Sequence, residues 1–329
     1  FTDGSKPTDY TFGGIAGSQE INTRASSYRK GTRISFLNTN TNYSFRMMGT
    51  HVSGMNKEGW AYVLSAGRRW AENGYFDGTT YDANSFFASV EKRINDKHSL
   101  NFTSMFAQNK RGKNSPNTNE VTDLVGEKYN SYWGYQDGEK RNSRFKDAEE
   151  PLMMLTHYWK VSPKTNLNTT LSYQTGKIGN SRFDYTKSNN PDPIYYKNLP
   201  SYYTTLHSFV LGVSTFTPDL TQAEVVKNEF SRNPQVDWND IYRINKENAA
   251  NGSRIVLYED RNDEDITTLN SNLSTRLADN ILLNAGVNLL NSKTKNFKNL
   301  LDLLGGNYYT DITTFGFNQD TQQQSDMNN

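Results

Sequence analysis

The feature that most restricts the fold of this chain is apolar–polar alternation in segments of about ten residues, the per-strand signature of a sheet whose two faces meet different surroundings. In Leu167 to Gln174, Leu167, Thr169, Leu171 and Tyr173 share one face, and Asn168, Thr170, Ser172 and Gln174 share the other. Ile281 to Leu289 repeats the pattern: Leu283, Ala285, Val287 and Leu289 oppose Asn284, Gly286 and Asn288, with Leu282 as the exception. Segment 42–52 sets Tyr43, Phe45 and Met47 against Ser44, Arg46 and Met48, and segment 82–92 sets Phe86, Ala88 and Val90 against Ser85, Phe87 and Ser89. An antiparallel sheet in water alternates too, so alternation by itself does not specify a membrane.

The connections between these segments alternate in length. Short polar turns fall at Ser53–Glu58, Asn95–Lys97, Ser162–Lys164 and Ala278–Asn280. Between them lie longer connections over about 70–80, 110–150 and 179–262, and from 294 onward, whereas structureless loops beyond roughly 12–15 residues are uncommon in compact soluble domains. One end of the sheet therefore carries tight turns and the other large loops, the asymmetry of outer-membrane barrels. The longest loop has structure of its own. Leu220–Arg232 reads as a helix capped by Asp219 or Thr221, and Val236–Glu247 places Trp238, Ile241, Tyr242 and Ile244 near helical spacing, so two small helices are expected to pack on each other. About nine strands fit between Gly31 and Lys293, an odd number that cannot make a standard even-numbered single-chain bacterial barrel, so further wall is expected from sequence outside this chain.

Composition separates a two-faced wall from disorder. Apolar residues make up 34% of the 329, and mean hydropathy is −0.83. A disordered chain shares that shortfall but is poor in rings; this one carries 20 Tyr, 17 Phe and 5 Trp. Net charge is +1 and the basic residues are scattered, so nothing favours nucleic acid as a partner. Cysteine is absent, which excludes disulfides and thiolate metal sites. No segment has the roughly 18 consecutive apolar residues of a membrane helix. The abrupt start at Phe1-Thr2-Asp3-Gly4 and the polar end from Gln322 to Asn329 are read as cuts in a longer protein.

The run GWAYVLSAGRRWAENGYFDGTTYDANSFFASVEKRINDKHSLNFTSMFAQ (59–108) resembles the early barrel of TonB-dependent outer-membrane receptors, and FGGIAGSQEINTRAS (12–26) resembles the end of their plug. RGKNS (111–115), KYNSYWGYQDGEKRNSR (128–144) and NPDP (190–193) are similar to a Bacteroidota branch, especially the flavobacterial one. The resemblance implies an all-β transmembrane antiparallel barrel of roughly 22 strands with a plugged lumen. Residues 1–30 would be the C-terminal end of the plug. Residues 31–329 would be the first part of the barrel, with extracellular loops over 110–150, 179–262 and 294–329. It further implies location in the cell outer membrane, contact with outer-membrane lipid, uptake of a scarce ligand driven by a TonB-type energy-coupling system, and in some members a surface lipoprotein partner.

Within that frame, Tyr129, Tyr132, Trp133 and Tyr135, followed by Glu139, Lys140, Arg141 and Arg144, form the candidate ligand or partner contact, together with Trp238. Rings stack on sugars or peptides and charges orient them; the same residue types commonly pack loops or interfaces, and packing is the leading reading. Trp60, Tyr62, Trp70, Tyr75, Tyr158 and Trp159 fall near strand ends and read as an aromatic girdle at the lipid interface. Asp260 to Asp265 is acidic enough to suggest calcium but lacks the Gly and distal Glu of an EF-hand, so it reads as a solvated loop end with a strand beginning at Asp265. The four histidines show no metal-binding spacing: His98 reads as lying in a turn, His51, His157 and His207 as isolated, and all four as non-catalytic. Nucleophile-elbow, phosphate-loop and dinucleotide motifs are absent, so neither enzyme activity nor a cofactor is expected. Two other classes stay open: a structural or docking subunit of a surface complex, and a soluble β-rich carbohydrate-binding module.

Overall fold

The computed structural model describes residues 15–17, 19–210, 213–312 and 324–327. Residues 1–14 and 18, half of the plug-like segment 1–30, and residues 211–212, 313–323 and 328–329 lie outside them.

The alternating segments form one antiparallel sheet. Its members are β1 (Gly31–Asn38), β2 (Phe45–Val52), β3 (Trp60–Ala71), β4 (Tyr81–Arg93) and β5 (His98–Gly112). After α1 (Asn119–Val125) and a small hairpin of β6 (Trp133–Gln136) and β7 (Glu139–Asn142) come β8 (Phe145–Glu149), β9 (Leu152–Ser162) and β10 (Thr165–Asp184). Next are α2 (Pro200–Thr204), a second hairpin of β11 (His207–Val210) and β12 (Val213–Phe216), α3 (Leu220–Arg232) and α4 (Trp238–Glu247). The sheet resumes with β13 (Val256–Ala278) and β14 (Ile281–Asp302), and β15 (Tyr309–Ile312) pairs with β16 (Gln324–Met327). Each sheet strand pairs with the next in sequence, and β8 and β9 share the place between β5 and β10. They are one wall strand interrupted at Pro151, which has no N–H to give to the ladder; its carbonyl still accepts from Thr175 N at 3.2 Å. Nine wall strands result, in agreement with the sequence.

Register assigns every side chain to a face. Residues 23–28 cross one face, called inner here, where Ala25 packs with Val52, Ala61 and Val63. Following the pairs outward from Ala61 and Val63 puts Thr50, Glu91, Asn101, Thr156, Thr170, Asn270 and Asn288 on the inner face. The same pairs put Ile34, Met47, Leu64, Phe86, Phe102, Leu155, Leu171, Leu269 and Leu289 on the outer face. The outer apolar side chains are exposed, Phe86 at 55% and Val287 at 61%. The alternation is therefore polar-inside and apolar-outside.

Connections behave as the sequence predicts at the tight end, with turns at 53–59, 94–97, 163–164 and 279–280. At the other end the strands run further than expected, and the loops shrink to 72–80, 113–144 and 185–255. The loop expected from 294 starts only after Asp302. The acidic run Asp260–Asp265 is not a loop end but lies inside β13, where Arg261 bridges Glu259 at 2.8 Å and Asp263 at 2.9 Å. Its charges are compatible with a strand because they pair along it, with Arg261 held between two carboxylates.

Loops 113–144 and 185–255 fold together into a cap with its own cores. Thr118, Asp219 and Asp237 cap α1, α3 and α4 by accepting from the N–H groups of Val121, Gln222 and Asp240. Asp137-Gly138, both at positive φ, turn β6 into β7. The expectation that the two longer helices pack on each other is corrected. Phe230 of α3 joins Val121, Tyr129 and Leu199, whereas Trp238 and Ile241 of α4 join Val236, Ile255, Leu257 and Leu304. Asn245 fixes α4 in place: its Nδ2 donates to Ile255 O at 2.7 Å and Leu304 O at 3.0 Å, and its Oδ1 accepts from Arg254 N at 2.8 Å.

Candidate functional site: inner face and loop cap

At the tight-turn end, the inner face holds residues 23–28 through side chains rather than a backbone ladder. Glu91 is 0% exposed. It accepts from Arg24 Nη2 at 2.6 Å, Ser26 N at 3.0 Å and Ser99 Oγ at 2.6 Å. Ala25 N donates to Asn101 Oδ1 at 3.0 Å and Ser89 Oγ donates to Thr23 O at 2.6 Å. A small residue at 25 and a carboxylate at 91 are thus explained together: the segment lies flat on the wall, with Ala25 N and Ser26 N both meeting wall acceptors.

The girdle residues separate by face. Trp60 and Tyr62 face outward near the tight turns, with Lys92 Nζ 4.7 Å from the Trp60 ring. Trp70 faces outward at the loop end of β3, its ring 5.5 Å from Phe45. Trp159 also faces outward, stacked 5.5 Å from His98. Tyr158 does not belong with them. It pairs with Ser99 and Asn168 on the inner face, and the Arg24 guanidinium lies 4.2 Å from its ring. Adjacent strand residues point to opposite faces, so Tyr158 and Trp159 cannot share one. Tyr75 sits in the 72–80 connection against Phe76. The histidines are not all isolated: His98 Nδ1 and His157 Nε2 meet at 3.1 Å on the outer face. Among the described residues no group of three or more His, Asp or Glu is placed to hold a metal ion.

Most of the loop-cap candidates are brought together, but as supports of the cap. Tyr129 is buried, its hydroxyl donating to Pro234 O and its ring edge-on to Phe230. Burial raises its phenol far above the ordinary range. Trp133 is buried against Gly78 with Lys140 Nζ 5.1 Å from its ring. Trp238 is buried in the second core, donating to Arg141 O at 3.2 Å. Arg141 joins this second core to the wall: it pairs with Asp302 at 2.6 Å and covers Trp238 at 4.3 Å. Tyr135 and Glu139 are exposed, while Tyr132 and Arg144 are half-buried and stacked at 5.0 Å.

The sequence reading missed the inner-face cations. Lys113, half-buried, donates to Asn180 Oδ1 at 2.8 Å. Burial lowers its affinity for a proton, and Arg144, Lys146 and Arg111 lower it further. The period-2 pattern contained the signal, because it puts Arg46, Arg69 and Arg111 on the polar face of their strands.

The sequence matches no known family profile and no characterised protein. Solved structures do resemble the fold. The siderophore receptor PiuA from Acinetobacter baumannii has a TM-score of 0.47 and 10% identity over 81% of this chain and 31% of its own. The ferric-catecholate import receptor Fiu from E. coli K12 gives 0.49 and 11% in its closed form, over 93% of this chain and 38% of its own. Its open form gives 0.45 and 9%, over 80% and 35%. The chain thus spans 31% to 38% of the length of these structures. Likeness at this level does not say what this chain binds.

Proposed function

We propose that this chain forms the first part of the wall of a TonB-dependent receptor in the outer membrane, together with the tail of a plug, and that it takes part in ligand uptake. The observation that carries the reading is the two-faced sheet. Trp60 to Trp70 along the outer face of β3 spans ten rises of about 3.3 Å, which at a tilt of about 45° makes a band about 23 Å tall, the height of a barrel's lipid-facing belt. Nine strands at about 4.8 Å spacing make it about 38 Å wide across the strands, and about 33 Å of strand by 38 Å is on the order of 1,200 Å² of mostly apolar surface, well above the few hundred Å² that soluble monomers leave exposed. A soluble carbohydrate-binding module would leave that band in water. Residues 23–28 on the inner face fit the exit of a plug, and further strands would close the wall.

Cells with and without the gene, and with and without TonB, test the reading by uptake and by fractionation. Expected are recovery in the outer-membrane fraction and a TonB-dependent loss of uptake of at least one scarce nutrient; recovery in the soluble fraction rejects it. A docking role is supported by a separate observation. Phe216, Leu220 and Val225 are exposed apolar side chains on the loop cap, away from the lipid-facing band. Purification from gently solubilised membranes decides: a stoichiometric surface partner supports docking, and a lone barrel opposes it.

A further inference from the structure

Charge on the inner face is unevenly distributed. Arg46 and Arg69 are direct cross-strand partners on β2 and β3. Arg111 and Lys146 are direct partners on β5 and β8. Both pairs face inward. Arg69 lies opposite the buried Ala83, and Arg111 opposite the buried Tyr81, in one cluster with Ala71 and Tyr43. Like charges directly opposite one another destabilise a sheet, and here the arrangement occurs twice on one face.

Two more cations extend the second pair. Lys113 N donates to Arg144 O at 2.7 Å, which joins the two loop ends just above Arg111 and Lys146. The proton affinity of Lys113 responds to Arg144, Lys146 and Arg111 together, with Asp260 opposing them, so the four cations lie within electrostatic reach of one another. The nearby carboxylates are engaged elsewhere: Asp260 pairs with Arg182 at 3.0 Å and Asp184 with Lys298 at 3.3 Å. Asp192 lies near Arg144, but the two form no ion pair among the described residues. Among the described residues none of the six cations is in an ion pair. Four of the cations are held in place by neutral partners: Arg144 stacks on Tyr132, Lys113 bonds Asn180, Arg69 lies over the Tyr43 ring at 5.7 Å, and Arg46 donates to Met48 Sδ at 3.3 Å.

We propose that Arg111, Lys113, Arg144 and Lys146 form a binding site for a small polyanion, a ligand with several carboxylate, phosphate or phenolate oxygens, and that the Arg46–Arg69 pair extends it along the inner face. Guanidinium forks suit such oxygens, and several cations on one recessed face concentrate the attraction. The bound anion supplies the counter-charge that the fold omits. The proposal rests on the uptake reading only in taking the inner face as the ligand's route.

The test uses the full-length receptor purified in detergent and three probes: citrate, inorganic pyrophosphate and uncharged maltohexaose. The wild-type protein should bind at least one anion, more weakly as salt is added, and should not bind the sugar. Arg111→Gln with Lys146→Gln should weaken anion binding by about tenfold or more, the scale of a lost charge-assisted contact. The same variant should melt at the same or a higher temperature, because a like-charge pair has been removed. A purely structural role for the pair predicts the reverse, a lower melting temperature with unchanged binding, and overturns the site. Arg46→Gln with Arg69→Gln gives an independent second variant. If the wild-type protein binds neither anion, or binds them equally well in both variants, the proposal fails. Binding in detergent needs no energy coupling. Lost uptake with intact binding therefore rejects only the transport reading, and intact uptake without anion binding rejects only the site.

Discussion

A single carboxylate shows how residues 23–28 are held to the wall. Glu91 has no exposure and takes its charge partner from Arg24, which belongs to the segment and not to the sheet. Arg24→Ala leaves that charge buried and unpaired, a loss of about 3–5 kcal/mol for a buried pair broken on one side. Protease cleavage between residues 19 and 30 in the intact protein measures the effect. Strong cleavage in Arg24→Ala, and less in Arg24→Ala with Glu91→Gln, is expected; wild-type resistance in the single variant would refute the latch. Asp192 gives a pH-dependent counterpart in the cap. Burial raises its pKa by more than Arg144 and the bond from Ile194 N at 3.2 Å lower it. The folded cap thus holds this proton more tightly than the unfolded chain does. Its contribution to stability is complete below the ordinary carboxylate range and is lost as pH rises through the raised value. Melting of the cap, followed through the buried Trp133 and Trp238, should shift to lower temperature with rising pH, and Asp192→Asn should flatten that slope. An unchanged slope in the variant would remove Asp192 as its source.

At the scale of strands, register decides what a substitution meets. Leu171 and Ser172 are neighbours on β10 with opposite environments, outer and inner. Leu171→Arg places a charge in the apolar band and should cost about 2–4 kcal/mol near the bilayer midplane, whereas Ser172→Arg should cost far less. Folding into lipid vesicles, read by heat-modifiable gel mobility, separates the two; equal losses would mean the outer face is not in lipid. The same parity explains which elements the sequence made legible. Nine strands and the span of α3 follow from period 2, from period 3.6 and from Asp219, because each of those elements has one apolar and one polar side. The loop ends of β10, β13 and β14 were missed because a run of charged residues such as Asp260–Asp265 carries no alternation to read. Tyr158 was assigned to the wrong face even though its adjacency to Trp159 already forbade a shared one. In the cap, helical spacing put Trp238 and Ile241 on one helix, but Trp238 was counted among the ligand or partner contacts, and the structure buries it in a core instead. The second half of the core, Ile255, Leu257 and Leu304, lies up to 66 residues away in sequence (304 minus 238) and no local pattern could pair them.

For the whole molecule, the two ends of the sheet are as different as its two faces. One end closes in turns as short as residues 163–164 and 279–280, while the other carries a folded cap with two cores. A chain inserted with this asymmetry should present the cap to the outside and the turns to the periplasm, since tight turns cross a membrane during assembly more easily than a folded cap does. The two kinds of site suited to a tag differ only in sidedness. Asp137-Gly138 is an exposed two-residue turn at the tip of the β6–β7 hairpin, and Asp279-Asn280 is an equally short turn at the opposite end. An epitope inserted after Gly138 should bind antibody on intact cells, and one inserted after Asp279 only after the outer membrane is permeabilised. The reverse pattern would place the cap in the periplasm and deny the loops a role in capturing ligand from outside. Surface exposure of both tags would mean that the sheet does not span the membrane, and the outer-face apolar band would then need a protein partner instead of lipid.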